Sequence, residues 1–309
     1  MTILRLVRRP LPHSTSKRWV VAAAIATAAL ALSSATAIRP GAVAATSAPT
    51  CGTTRVARSS GGYWSCTFAD EFSGSRLDTT KWQPYTSVRG GFHGGDECYS
   101  PSNVTLDSGN LRLTATKSTT TFDCAGTPST YRSGLIMSKG LFAQAYGRFE
   151  MRAMIPAGVG FQPAFWLLPE NPYIQPGGYA YGEIDVMESW GTYPDIASPH
   201  LHFVQTPGYP NSGAYCHVAN MATAYHTYTV EWTRLRMTFK YDGNVCWSTN
   251  WNPIPTYQPE GAKAPSPFNQ PFYLIVNLAM GGASTPTNRA TSTTQFPSRM
   301  SVDYIRVWK

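Results

Sequence analysis

The chain has little charge, with Asp, Glu, Lys and Arg making up only 14% of it, and its apparent basicity is unevenly placed. Six of the 25 Lys and Arg residues and none of the 17 Asp and Glu lie in the first fifty positions, so the net charge of +8 falls to +2 beyond them. That leaves no basic patch for nucleic acid, and a near-neutral chain rich in Tyr, Trp, Asn, Gln and Ser suits a neutral ligand. A membrane span is also missing, because the apolar run from Trp19 to Leu32 has 14 residues where about twenty are needed. No 20-to-50-residue repeat recurs, which excludes a propeller or solenoid. The cysteines have no C-x-x-C or Cys/His spacing of a zinc site.

The first segment reads as an export signal. Arg5, Arg8, Arg9, Lys17 and Arg18 make a basic start, the apolar run follows, and Ala42-Val43-Ala44 is a cleavage candidate. Residues 1–44 are therefore expected to be a signal peptide, 45–62 a small-residue linker ending at Gly61-Gly62, and 63–309 one domain with no room for an accessory binding module. All six cysteines lie beyond the signal and are even in number, which predicts disulfides in an exported protein. Fifteen pairings are possible. Neighbours in sequence (51–66, 98–124 and 216–246) are favoured because each closes a short loop between strands.

Short alternating or β-branched runs recur between Gly, Pro, Asn and Asp: Asn110 to Thr116, Gly147 to Ile155, Ala164 to Leu168, Tyr228 to Trp232 and Phe272 to Leu278. Met237 to Tyr241, Asp242-Gly243-Asn244 and Val245 to Trp247 form a hairpin pattern, and Ser301 to Trp308 alternates as a closing strand. Few helices are expected. The fold class predicted is all-β, a jelly-roll sandwich of two packed antiparallel sheets.

Within this pattern Glu183-Ile184-Asp185-Val186-Met187-Glu188 puts three carboxylates into six residues of an apolar run. Charge at that density is costly to bury without a use for it. Glu183 and Asp185 share one face of a strand, whereas Glu188 falls on the other unless a one-residue bulge at Val186 or Met187 restores the parity. With the bulge, all three face one way, as acid and nucleophile chemistry at a glycosidic bond requires.

Together with that hexapeptide the chain carries Asp70-Glu71-Phe72, Ser108 to Ala115, Tyr146-Gly-Arg-Phe-Glu-Met-Arg152, Pro163-Ala-Phe-Trp166, Asn277-Leu-Ala-Met-Gly-Gly282 and Asp303 to Trp308. In this order the motifs resemble glycoside hydrolase family 16, the laminarinase and licheninase group of retaining endoglycanases, over roughly residues 66 to 309. The bulged E-x-D-x-x-E form is similar to the laminarinase, agarase and carrageenase side. One departure is Gln162, where laminarinases usually place a Trp, so one glucan-binding wall is expected to be missing. With Pro199 to Phe203 and the Cys216 to Cys246 region, the chain looks more like an actinobacterial branch.

The resemblance implies Glu183 as nucleophile, Glu188 as the acid that protonates the leaving oxygen and then activates water, and Asp185 as the neighbour that tunes Glu183. It places His202 in the site at a strand end. His200 shares its face, and for His200 a satisfied structural histidine is as good a reading as a functional one. Trp166, Trp190, Asn277 and Gln162 are the substrate-binding candidates, the indoles because flat rings suit pyranose faces. Tyr99, Phe92 and His93 are placed on a Gly-rich loop rimming the site. No catalytic cofactor is implied, but a structural calcium is, at Glu71, Gly109 and Asp303.

The function expected is a secreted, monomeric endo-glycosidase acting on a polysaccharide, most simply β-1,3-glucan or mixed β-1,3-1,4-glucan. Two alternatives stay open: the same machinery used on a galactan or other wall polysaccharide or for transglycosylation, and a lectin on the same fold.

Overall fold

The structure is a computed structural model, and it describes residues 49–89, 91, 94–171, 182–203, 213–251, 268–282 and 285–309. Phe92, His93 and residues 1–48, which include the expected export signal, lie outside the described residues. Eighteen strands and two 3₁₀ turns are found there: β1 Cys66–Asp70, β2 Gln83–Pro84, β3 Glu97–Tyr99, β4 Val104–Asp107, β5 Asn110–Cys124, β6 Thr127–Ser133, β7 Leu135–Met137, β8 Ala143–Gln144, β9 Gly147–Met154, β10 Phe161–Pro169, β11 Glu183–Glu188, β12 Ile196–His202, β13 Cys216–His217, β14 His226–Trp232, β15 Arg236–Tyr241, β16 Asn244–Asn250, β17 Phe272–Met280 and β18 Ser298–Trp308. A ten-stranded sheet runs β16-β15-β14-β9-β18-β5-β6-β3, with β1 beside β18 and β4 beside β5. An eight-stranded sheet runs β13-β12-β11-β10-β17-β7-β2, with β8 beside β17. Every pairing is antiparallel except β3 with β6.

The strands follow the sequence pattern with longer ends: β5 is Asn110–Cys124, β9 Gly147–Met154, β10 Phe161–Pro169, β14 His226–Trp232, β17 Phe272–Met280 and β18 Ser298–Trp308. The hairpin β15 (Arg236–Tyr241) to β16 (Asn244–Asn250) turns at Asp242 and Gly243. Both have positive φ, 48° and 78°, as a two-residue hairpin turn matching the strand twist requires.

Period-2 patterning decides what each face of the eight-stranded sheet does. From β17, Phe272, Leu274, Val276, Leu278 and Met280 enter the main core, where they meet Phe149, Met151, Val230 and Phe239 of the other sheet. The intervening Tyr273, Ile275 and Ala279 join Ala164, Trp166, Leu135, Met137 and Tyr99 in a second cluster on the outer face. This outer face carries the candidate site.

All three disulfides form between sequence neighbours, Cys51–Cys66, Cys98–Cys124 and Cys216–Cys246. The first ties the segment read as a linker onto the domain. Cys51 is buried, and the Arg58 guanidinium donates to the Lys309 carbonyl. Tyr99 is not on a rim loop. It lies in β3 (Glu97–Tyr99) and is fully buried, because its hydroxyl has an internal partner in Asn277.

Candidate active site

Strand β11 (Glu183–Glu188) is the centre of the site. Against β10, Met187 stands opposite Phe165 and Asp185 opposite Trp166, so Val186 is the extra residue of a β-bulge. Ile184, Val186 and Met187 all enter the main core. Two consecutive core residues are possible only with that bulge, and it turns Glu183, Asp185 and Glu188 to the same outer face. The Val186 carbonyl, displaced from the regular ladder, accepts a 3.1 Å hydrogen bond from the buried Tyr241 hydroxyl of β15. A bulge over the core needs such a partner, since an unpaired buried carbonyl is costly.

The next strand, β12 (Ile196–His202), brings two histidines against the carboxylates. Antiparallel register sets Glu183 opposite His202 and Asp185 opposite His200. His202 Nε2 lies 3.1 Å from Asp185 Oδ2 and 3.8 Å from Glu183 Oε1. His200 Nδ1 lies 3.2 Å from Glu188 Oε2. On the other side, Gln162 of β10 donates from Nε2 to Glu188 Oε1 at 3.3 Å. Asp185 is the innermost of the three, with a relative exposure of 2%.

Burial first, and then the charge of Asp185, pushes the Glu183 carboxyl well above the ordinary carboxylate range, while His202 pulls it down. Burial and then the charge of Glu188 push Asp185 up as well. Three carboxyls crowded into a poorly solvated site cannot all ionise together. Within the pair, the Asp185 side chain raises Glu183 while Glu183 pulls Asp185 down, so the two titrate as a unit.

Two sets of three side chains bring potential ligand atoms within 4.8 Å of one another: Glu183, Asp185 and His202, and Asp185, Glu188 and His200. Both consume the carboxylates that acid and nucleophile chemistry would use. Of the residues expected to hold calcium, largely through backbone oxygens, two have their carboxylates engaged by arginines. The Glu71 carboxylate is held by Arg306 through two 2.8 Å bonds, and Asp303 pairs with Arg152. Gly109 belongs to the exposed turn between β4 and β5.

Of the candidate sugar-binding residues, Trp190 stands half-buried beside the carboxylates, edge-on to His200 at 6.3 Å. Trp166 is 2% exposed, and its indole N–H is spent on Asn277 Oδ1 at 2.7 Å. Asn277 in turn donates to the Tyr99 hydroxyl at 3.0 Å. Trp166 and Asn277 therefore build the floor under the site and offer little surface to a ligand. Gln162 is likewise buried, and its amide reaches a catalytic candidate. Sequence alone leaves His200 open between a structural and a functional role. The H-x-H parity with His202 is its signal in the sequence, and it has meaning only once β12 pairs with β11.

This architecture defines a class: a β-jelly-roll protein whose outer sheet face carries a bulged carboxylate strand. A sequence model described as beta-porphyranase A–D, GH16 domain, matches residues 65–309. The glucan endo-1,3-beta-glucosidase A1 of Niallia circulans is 35% identical over 256 residues, covering 78% of this chain and 37% of that protein. The beta-glucanase of Rhodothermus marinus is 34% identical over 188 residues, covering 58% of this chain and 63% of that one. The chain thus spans less than two thirds of the length of either relative. The laminarinase catalytic domain from Thermotoga maritima superposes with a TM-score of 0.68 at 28% identity, over 80% of this chain and 98% of that one. The chain belongs to glycoside hydrolase family 16.

Proposed function

We propose that the protein is a secreted, retaining endo-glycosidase that hydrolyses internal β-1,3 or mixed β-1,3-1,4 bonds of a glucan by double displacement. The observation that carries this reading is the bulge at Val186, which sets Glu183 and Glu188 on one face with Asp185 between them. Glu183 attacks the anomeric carbon as Glu188 gives its proton to the departing glycosidic oxygen, leaving a glycosyl ester on Glu183. Glu188, now a carboxylate, takes a proton from water. The resulting nucleophile cleaves the ester, returns Glu183 as a carboxylate and preserves the anomeric configuration. Asp185 shares its proton with Glu183, holding the nucleophile in line.

A glucan is favoured by the glucanase names of the relatives. The porphyranase description of the family match, together with Gln162 in place of a Trp wall, favours as second reading a galactan or other wall polysaccharide. Three disulfides support export. Among the described residues no helix is long and apolar enough to cross a membrane. The protein is proposed to act as a monomer.

The test is product release from a panel of glucans and galactans, with anomeric NMR of the first product. Glu188→Gln is expected to lose about 10²–10⁴ of the rate, and Glu183→Gln to fall to background. An initial α-anomer would sink the retaining mechanism. Glycan binding without cleavage of any substrate would leave a lectin.

A further inference from the structure

We infer that His200 is a positioning residue for Glu188, holding the acid's carboxyl between its own Nδ1 and the Gln162 amide. The inference rests on the reading of Glu188 as proton donor. Each oxygen of that carboxyl has its own neighbour, Gln162 Nε2 at 3.3 Å from Oε1 and His200 Nδ1 at 3.2 Å from Oε2. These neighbours stand on different strands, β10 and β12: Gln162 holds the carboxyl by a hydrogen bond, while the buried His200 Nδ1 approaches its other oxygen without yet making one, and together they limit its position and rotation. A fixed rotation matters because the acid must aim its proton at one glycosidic oxygen.

The imidazole is itself held in place. Trp190 lies edge-on to it at 6.3 Å and 80°, and Tyr215 edge-on at 6.2 Å and 77°. Gly213 forms a β-bridge to His200, and a Cβ there would fall 2.1 Å from the His200 Cδ2. Only glycine lets the segment close on the ring. One residue past Tyr215, the Cys216–Cys246 disulfide anchors that segment to β16 of the opposite sheet. The histidine is therefore clamped from three directions with its Nδ1 edge toward Glu188.

An imidazole nitrogen suits both states of an acid that must give up and regain a proton. It accepts from a carboxyl O–H when unprotonated and donates to a carboxylate when protonated. The other titratable groups facing this pair are Glu183 and Asp185 on β11, His202 on β12, Tyr241 on β15 and Tyr215 on the clamped segment. All of them are retained in the variants below except where named.

The experiment measures kcat/KM against pH for the full chain on a glucan oligosaccharide, and on an aryl β-glycoside whose leaving group needs no protonation. His200→Ala is expected to lose about tenfold to hundredfold on the oligosaccharide and much less on the aryl glycoside. Its alkaline limb should move, because the carboxyl loses the imidazole that faces it in both of its protonation states. His200→Asn, which puts an amide edge where Nδ1 stands, should recover most of the rate. Equal losses on both substrates with an unmoved limb would overturn the inference, as would full activity in His200→Ala. Should His200→Ala fail to fold, imidazole ¹⁵N shifts are compared between wild type and Glu188→Gln. A change at His200 supports the contact, and identical shifts overturn it. Retention of glucan cleavage and of the alkaline limb in Glu188→Gln would instead sink the acid assignment itself, together with the inference.

Discussion

Asp185 shows how one residue's surroundings set the behaviour of another. It is the most buried of the three carboxyls, and after burial its charge is the largest cause raising Glu183. Asp185→Asn removes that charge and offers an amide N–H to Glu183, so Glu183 should ionise at lower pH. The expected result is an acid limb of kcat/KM displaced downward, with a rate loss of about tenfold or more. A limb that stays in place would break the proposed coupling. Glu97 gives the corresponding case for stability. It is fully buried, accepts the Met280 N–H at 3.0 Å, and is pushed up to about 7 chiefly by burial. Its folded pKa lies above the unfolded value, so its favourable contribution is complete below the unfolded pKa and is lost as pH rises through about 7. Glu97→Gln keeps an acceptor for Met280 and cannot ionise. It is expected to be more stable than wild type above neutral pH, by on the order of 3 kcal/mol at most, and to lose that advantage in acid. Urea denaturation at several pH values measures this.

At the scale of the element, the bulge in β11 is the device on which the site depends. A regular strand would send Glu188 into the main core, where an unpaired carboxylate costs several kcal/mol, and would separate it from Glu183. Tyr241 secures the bulge from across the sandwich by its bond to the Val186 carbonyl. Tyr241→Phe removes only that hydroxyl from a buried, well-packed ring. It is expected to cost about 1–3 kcal/mol by leaving the carbonyl unpaired, and to lower kcat more than it raises KM because the carboxylates lose their register. Unchanged kcat in a destabilised variant would show that the bulge persists without it. The neighbouring strands contribute in the same way: β10 supplies Gln162 and β12 the two histidines, each placed by register.

For the whole molecule, two sheets enclose one core and three disulfides close loops of 15, 26 and 30 residues. Each should stabilise the folded chain by about 3–4 kcal/mol through loop closure. Reduction under native conditions is therefore expected to lower Tm in calorimetry, and loss of Cys216–Cys246 to lower activity as well, since that bridge anchors the segment over His200. Calcium is expected to do little. With Glu71 paired to Arg306 and Asp303 to Arg152, neither added calcium nor EDTA should shift Tm. A calcium-dependent rise of several degrees would show that the arginines yield to the ion.

The sequence alone determined the all-β class, most strand positions, the disulfide pairing and the need for a bulge. Each follows from local periodicity, turn residues or short loop closure, which neighbouring residues encode. Tertiary structure alone decided that Tyr99, Trp166 and Asn277 form a bonded floor, that Gln162 touches Glu188, and that His200 belongs to the site. Those residues are 26 to 178 positions from their partners or, for His200, on the next strand. Their roles depend on which strands pair and in what register, and side-chain period 2 by itself says which residues share a face but not what that face will meet.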